Sequence, residues 1–164
     1  MNAPSYARSQ LESAFDNVDL CMQGLDDDTY NWQPSGTCNP ISKLHVHIVS
    51  SMDFFTNSIL QGKRSGWPEV AAQVGLPTNP QEMWQSQTRV SMDAIVNYGK
   101  DVRTRVMEYI SGLSDADLDR ELDTKILGVK SVGWVLQFCG MHMSSHAGEI
   151  SAVKGMQGLK GLPF

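Results

Sequence analysis

Four stretches of this chain place apolar residues at steps of three and four, the period of a half-buried helix, and no other feature limits its possible folds as much. The first opens near Pro4-Ser5 and carries Leu11, Phe15, Val18, Met22 and Leu25, with Gly24 as a natural terminator. The second opens on Asn39-Pro40, an N-cap residue followed by proline at the first helical position. It continues through Ile41, Leu44, Ile48, Met52, Phe55 and Ile59 to Gly62. A third is expected from about Pro80-Gln81-Glu82 through Ile95, Tyr98, Val102, Val106 and Tyr109 to Gly112, and a fourth from about Ser131 to Lys154. Between the second and third, residues 63–79 hold Gly66, Trp67-Pro68, Gly75 and Pro77 and read as a long loop, long enough for the crossover connection of a bundle. The closing residues 155–164, with glycine at 155, 158 and 161, are expected to lie extended against the helices. No window alternates as a strand would. Amphipathic helices must bury their stripes against one another, so the expected fold is all-α, a four-helix bundle with a long middle crossover connection. One domain over residues 1–164 would form it.

Two corners of the chain are alike. Gly24-Leu25-Asp26-Asp27 after the first helix matches Gly112-Leu113-Ser114-Asp115 after the third, which suggests two helix-corner-helix halves, a weak internal repeat. The acidic run Asp26-Asp27-Asp28 fits a solvated corner and helix cap, and lacks the ligand spacing and trailing glutamate of a calcium loop.

Composition narrows the class of function. At 41% hydrophobic and 19% charged residues the chain is too apolar to be disordered. A net charge of −5, with no basic run interleaved with aromatic residues, argues against nucleic acid as a partner. No stretch approaches the roughly 18 apolar residues of a membrane span, and the N-terminus, MNAPSYARSQLES, has no apolar core of signal-peptide type. Cys21, Cys38 and Cys139 are odd in number and without CxxC spacing, which fits reduced thiols in a cytoplasmic protein.

The chemistry gathers on histidine. The chain has four: His45 and His47 on the second helix, His142 and His146 on the fourth. On a helical wheel Val135, Phe138, His142, His146, Glu149 and Val153 fall within about 60° of one another, so the two imidazoles interrupt an apolar stripe. Small residues such as Gly133, Gly140, Ser144 and Gly148 take the far face. A His-x-x-x-His pair puts both rings on one face, a common way to offer two nitrogen ligands to one metal. The alternative is a pair of core histidines, each needing its own hydrogen-bond partner at a cost of about 1–3 kcal/mol if left without one. One shared cation accounts for both more simply. A third ligand must come from another helix, and the apolar stripe of the second centres about 60° from His45 and about 100° from His47. Periodicity therefore leans slightly to His45 and leaves both open. Cys139, one turn before His142, fits a buried inert thiol better than a nucleophile. Trp32, Trp67, Trp84 and Trp134 fit packing better than a pocket mouth.

The run Pro40 to Ile48, PISKLHVHI, with MHMSSHAGEI later in the chain and the tail GLKGLPF, resembles the DinB/YfiT-like family of metalloenzymes. The likeness in helix order, long middle connection and histidine motifs covers nearly the whole chain. In that family the second-helix histidine follows an apolar residue six positions before it and directly precedes another, and Ile41 and Ile48 put that position at His47. The resemblance thus implies a metal site of His47, His142 and His146, with His45 an additional histidine beside it. It implies a metal-dependent enzyme acting on a small-molecule substrate, either a hydrolase or a transferase or isomerase that uses a low-molecular-weight thiol. It also implies a homodimer, for which four Trp and nine Met offer apolar side chains.

Two other metal motifs are excluded: a zincin needs glutamate where Met143 stands, and a carboxylate-bridged di-iron bundle needs paired Glu-x-x-His motifs. Three neutral imidazoles with an open position suit a mononuclear divalent metal ion, Zn²⁺, Ni²⁺ or Fe²⁺. Glu149, one turn beyond His146, reads equally as an acceptor for an imidazole N–H or general base, and as a carboxylate pairing with Lys or Arg at the bundle end. The rival function is a non-catalytic metal-binding or stress-associated bundle. A plain interaction bundle, without metal, is the third.

Overall fold

Asn2, Ser91 and Ser131 each start a long helix by accepting a hydrogen bond from the amide three residues on, at 3.0 Å from Ser5, 3.4 Å from Ala94 and 3.2 Å from Trp134. The computed structural model describes residues 2–162. In chain order its helices are α1 (Ala3–Met22), α2 (Asp27–Asn31), α3 (Ile41–Asp53), α4 (Trp67–Val74), α5 (Pro80–Gln85), α6 (Met92–Ser111), α7 (Asp115–Asp119) and α8 (Val132–Met156). A π-helical segment, Phe54–Ile59, continues α3. Just before α8, strands β1 (Glu121–Asp123) and β2 (Val129–Ser131) form an antiparallel hairpin that pairs Leu122 with Lys130. The residue heading α3 is Pro40 rather than Asn39, and it offers no side-chain cap, unlike the starts of α1, α6 and α8.

The long helices α1, α3, α6 and α8 close into a ring. α1 packs on α6 and α8, and α3 packs on the same two, so α1 and α3 face each other across the core. Leu11 and Val18 of α1, Ile48 and Met52 of α3, Val102 and Val106 of α6, and Val135, Met143 and Ile150 of α8 fill that core. The fold is the all-α bundle that the periodicity implies. Lys154 closes the end of α1 from the far side. It is buried, and its Nζ donates to the carbonyls of Cys21 at 3.0 Å and Gln23 at 2.7 Å, a cation at the negative pole of that helix.

The two similar corners lead into two similar short helices. Asp26 and Thr29 form a capping box at α2, and Ser114 and Asp117 form another at α7. The likeness stops at the glycines: Gly24 is left-handed at φ +77°, whereas Gly112 is right-handed at φ −91°.

Several boundaries differ from expectation. The expected third helix is broken, ending as α5 at Gln85 and restarting at Met92. Asn31 holds the gap open, since its side chain donates to the Val90 carbonyl at 3.0 Å and accepts from the Val90 amide at 2.8 Å, occupying the groups that a helix would use. The expected loop 63–79 contains α4, in which Pro68 stands in the first turn and Gly75 ends the helix at φ +71°. Trp-Pro and Gly were helix punctuation rather than loop signals. The hairpin has three residues per strand, too few to show alternation. The tail is not extended: α8 continues to Met156 and Gly158 turns at φ +74°. The chain then runs against α8, where a Cβ at Gly161 would lie 3.0 Å from that of Ser151. Pro163 and Phe164 lie outside the described residues.

Asp53, at the end of α3, is fully buried. It accepts hydrogen bonds from Tyr98 Oη at 2.6 Å, Ser65 Oγ at 2.6 Å, the Gly66 amide at 2.7 Å and Asn57 Nδ2, and pairs with Arg105 at 3.1 Å. Burial alone would raise its pKa, but the donors of Ser65, Tyr98 and Asn57 and the Arg105 cation outweigh it and hold the carboxyl below the usual range. One carboxylate thereby ties the middle connection to α3 and α6.

Candidate metal centre

α3 and α8 pack side by side and bring His47 against His142 and His146. The ring centroids lie 4.9 Å apart for His47 and His142, 4.8 Å for His47 and His146, and 4.5 Å for His142 and His146. One ring nitrogen of each lies within 4.8 Å of the other two. Two nitrogens bound to one Zn²⁺ at about 2.1 Å each can be no more than about 4.2 Å apart. For the three to share one ion, the widest pair would have to draw in to that limit.

Each ring is held from outside the cluster. The Nδ1 of His146 lies 2.6 Å from Glu149 Oε2, which leaves Nε2 as its free nitrogen. Glu149, exposed at its own end, stands within hydrogen-bond reach of this ring, which fits one of the two parts the sequence left open to it. The Nδ1 of His47 lies 3.4 Å from Ser51 Oγ, and the indole of Trp84 rests on the same ring at a centroid distance of 5.0 Å. His142 stacks on Phe138 at 5.6 Å, and its Nε2 is buried with no hydrogen-bond partner among the described residues. An orphaned imidazole nitrogen costs about 1–3 kcal/mol, and a cation is what such an atom accepts. Burial, with His146 adding to it, pushes the His47 pKa down to about 4. Burial, with His146 and His47 adding to it, does the same for His142. Both are neutral near pH 7, the form that donates to a metal.

His45 lies elsewhere. It is 3% exposed, its Nδ1 is 3.1 Å from the Tyr30 hydroxyl, and burial pushes its pKa down to about 4. The lean of periodicity towards His45 fails for a physical reason: residues Ile41 to Val46 are buried all round α3, because α2 covers one side and α8 another. The centre of an apolar stripe cannot give the direction of α8 when several faces are covered. Cys139 is 1% exposed and its thiol is pushed up to about 12, so no thiolate forms there near neutrality. Among the tryptophans, Trp84 touches the cluster, which the sequence did not signal. Ser51, one turn beyond His47, could have been found by spacing.

Comparison with known proteins gives the family and the fold. The model of the DinB superfamily matches residues 10–150, a span that holds all three clustered histidines. The uncharacterized protein YjoA of Bacillus subtilis is 25% identical over 142 residues, covering 85% of this chain and 81% of its own. The crystal structure of YjoA, described as DinB-like, superposes with a TM-score of 0.59 at 22% identity, over 99% of this chain and 96% of that one. A conserved protein of Enterococcus faecalis superposes with a TM-score of 0.78 at 13% identity, over 94% and 96%. A DinB-like protein of Bacillus cereus gives 0.60 at 17%, over 94% and 90%. These solved structures share the fold, and with the family model matched over most of its length the chain belongs to the DinB superfamily.

Proposed function

We propose that the chain is a metal-dependent enzyme whose divalent ion is held by His47, His142 and His146. The observation that carries this reading is the buried, unpartnered Nε2 of His142 beside two further imidazole nitrogens. A divalent ion in such a setting supplies Lewis-acid chemistry, lowering the pKa of a water or thiol or polarising a carbonyl. The protein's own part is to hold three neutral rings in place: Glu149 orients His146, Ser51 orients His47, and Trp84 and Phe138 keep water from the ring faces. Hydrolysis of a small molecule, or transfer or isomerisation with a low-molecular-weight thiol, is the reaction class we propose from the family likeness.

Tag-free protein is expected to purify with close to stoichiometric metal by elemental analysis. His47→Ala, His142→Ala and His146→Ala should each lose it, and His45→Ala should keep it. Metal at a hundredfold excess over Kd stabilises by about 2.7 kcal/mol, or roughly 5–10 °C in Tm for a domain of this size. The three alanine variants should lose that increment while still melting cooperatively. If only the His45 variant comes out empty, the site is misplaced.

We also propose that two copies pair through the groove between α1 and α8. It encloses about 610 Å³, and Tyr6 and Met141 stand exposed along it, an apolar surface of the kind that dimers cover. Light scattering at micromolar concentration should give twice the mass of the chain, and the mass of a single chain would exclude the dimer.

A further inference from the structure

Beside the histidine cluster lies a smaller cavity of about 250 Å³, and Lys43, Trp84, Gln33, Asn39, Ser86 and Gln87 are among its lining residues. No acidic side chain among the described residues lines it. Lys43 is 3% exposed, yet no carboxylate pairs with it among the described residues, and the one hydrogen bond of its ammonium is a long one of 3.4 Å to the Thr88 carbonyl. A buried ammonium is costly unless paired, and Lys43 has most of its donor capacity unused. It leaves α3 one turn before His47, so the two side chains project from one face about 5–6 Å apart. Trp84 is common to both, lining the cavity and resting on the His47 ring. The cavity also opens at Asn39 and Pro40, where α3 begins without a side-chain cap and its first amides present positive partial charge.

We infer that this cavity binds the oxyanion head, a carboxylate or phosphate, of a small anionic substrate, with Lys43 as its counter-charge and the far end of the molecule reaching the histidine cluster. The inference rests on the metal reading for what then happens to the substrate, and not for whether the anion binds. Burial lowers the Lys43 pKa, with no neighbouring charge opposing the fall, which is the state of a cation waiting for a partner. The amide and hydroxyl groups of the lining supply further hydrogen bonds, and the indole gives an apolar wall for a short carbon chain.

Calorimetric titration of the full chain, both Zn²⁺-loaded and metal-free, tests this with succinate, inorganic phosphate and the neutral analogue succinamide. Succinate or phosphate should saturate in the millimolar range and succinamide should not; which anion binds more tightly identifies the head group. Lys43→Met should weaken anion binding at least about tenfold, with metal content unchanged and the melt as high or higher. Lys43→Arg should retain most of the affinity. Equal binding by Lys43→Met, equal binding of succinamide, or no saturation by either anion would overturn the inference. Lys43-dependent succinate binding by wild-type protein that takes up no Zn²⁺, Ni²⁺ or Fe²⁺ when titrated with each would support it while sinking the metal reading alone.

Discussion

Replacing Asp53 by alanine is expected to destabilise the chain by about 3–5 kcal/mol, the usual cost of removing one partner from a buried, hydrogen-bonded ion pair. The carboxylate serves Tyr98, Ser65, the Gly66 amide, Asn57 and Arg105 together, and alanine leaves all of them facing a dry gap. Arg105 has little to fall back on: Asp101 holds one arm of its guanidinium at 2.7 Å, while its Nε is already buried without a partner among the described residues. Asp53→Asn keeps an acceptor but loses the charge, and should cost less than alanine. Urea unfolding at pH 7.5 measures both. A change under about 1 kcal/mol for Asp53→Ala would mean that water fills the gap and that the network is not what ties the middle connection down.

Acid should weaken the metal-free chain well before its carboxylates titrate. His45, His47 and His142 have pKa values of about 4 when folded, against about 6.5 in the unfolded chain. The unfolded state therefore binds protons that the folded state refuses, and the stability present above pH 6.5 drains away as pH falls towards 4. His45, wholly enclosed, contributes about 3 kcal/mol of that loss, while His47 and His142 contribute less because water reaches them. Asp26, Asp53, Asp117 and Asp123 have lowered pKa values, so their contributions are lost only below the ordinary carboxylate range, in a separate window. Denaturant midpoints from pH 7.5 to 4.5 should show the fall, and His45→Phe should flatten it whatever that substitution does to stability at pH 7.5. A profile unchanged in His45→Phe would show that His45 is not buried neutral. The same burial bears on metal binding: with His47 and His142 neutral to about pH 4, protons compete with the ion less at pH 5 than free imidazole would.

The four main helices were legible because their apolar residues recur every three to four positions, and the His142–His146 pair because both lie on one such stripe. The partner on α3 was not legible from periodicity. His45 and His47 stand about 200° apart on the wheel, both faces of α3 are covered, and only the resemblance pointed to His47. The break before Met92 depends on Asn31, some sixty residues away, meeting Val90. Spacing within a helix says nothing of such contacts. Trp84 and Lys43 reach the site region for the same kind of reason, since the middle connection folds back over α3. What sequence pattern carries is the local period; what it omits is which neighbour covers each face.

The π-helical turn at Phe54–Ile59 amounts to an angular offset inserted into one continuous rod. A helix that gains a residue relative to the α-helical count rotates everything beyond it by about 100°. Ahead of the offset, α3 turns His47 towards α8; beyond it, Phe55, Thr56 and Asn57 are buried in succession, and Asn57 reaches back to Asp53. A chain one residue shorter within this stretch would wind as plain α-helix and swing its far half away from the Asp53 network. The segment is therefore where the protein should be least forgiving of a single-residue deletion.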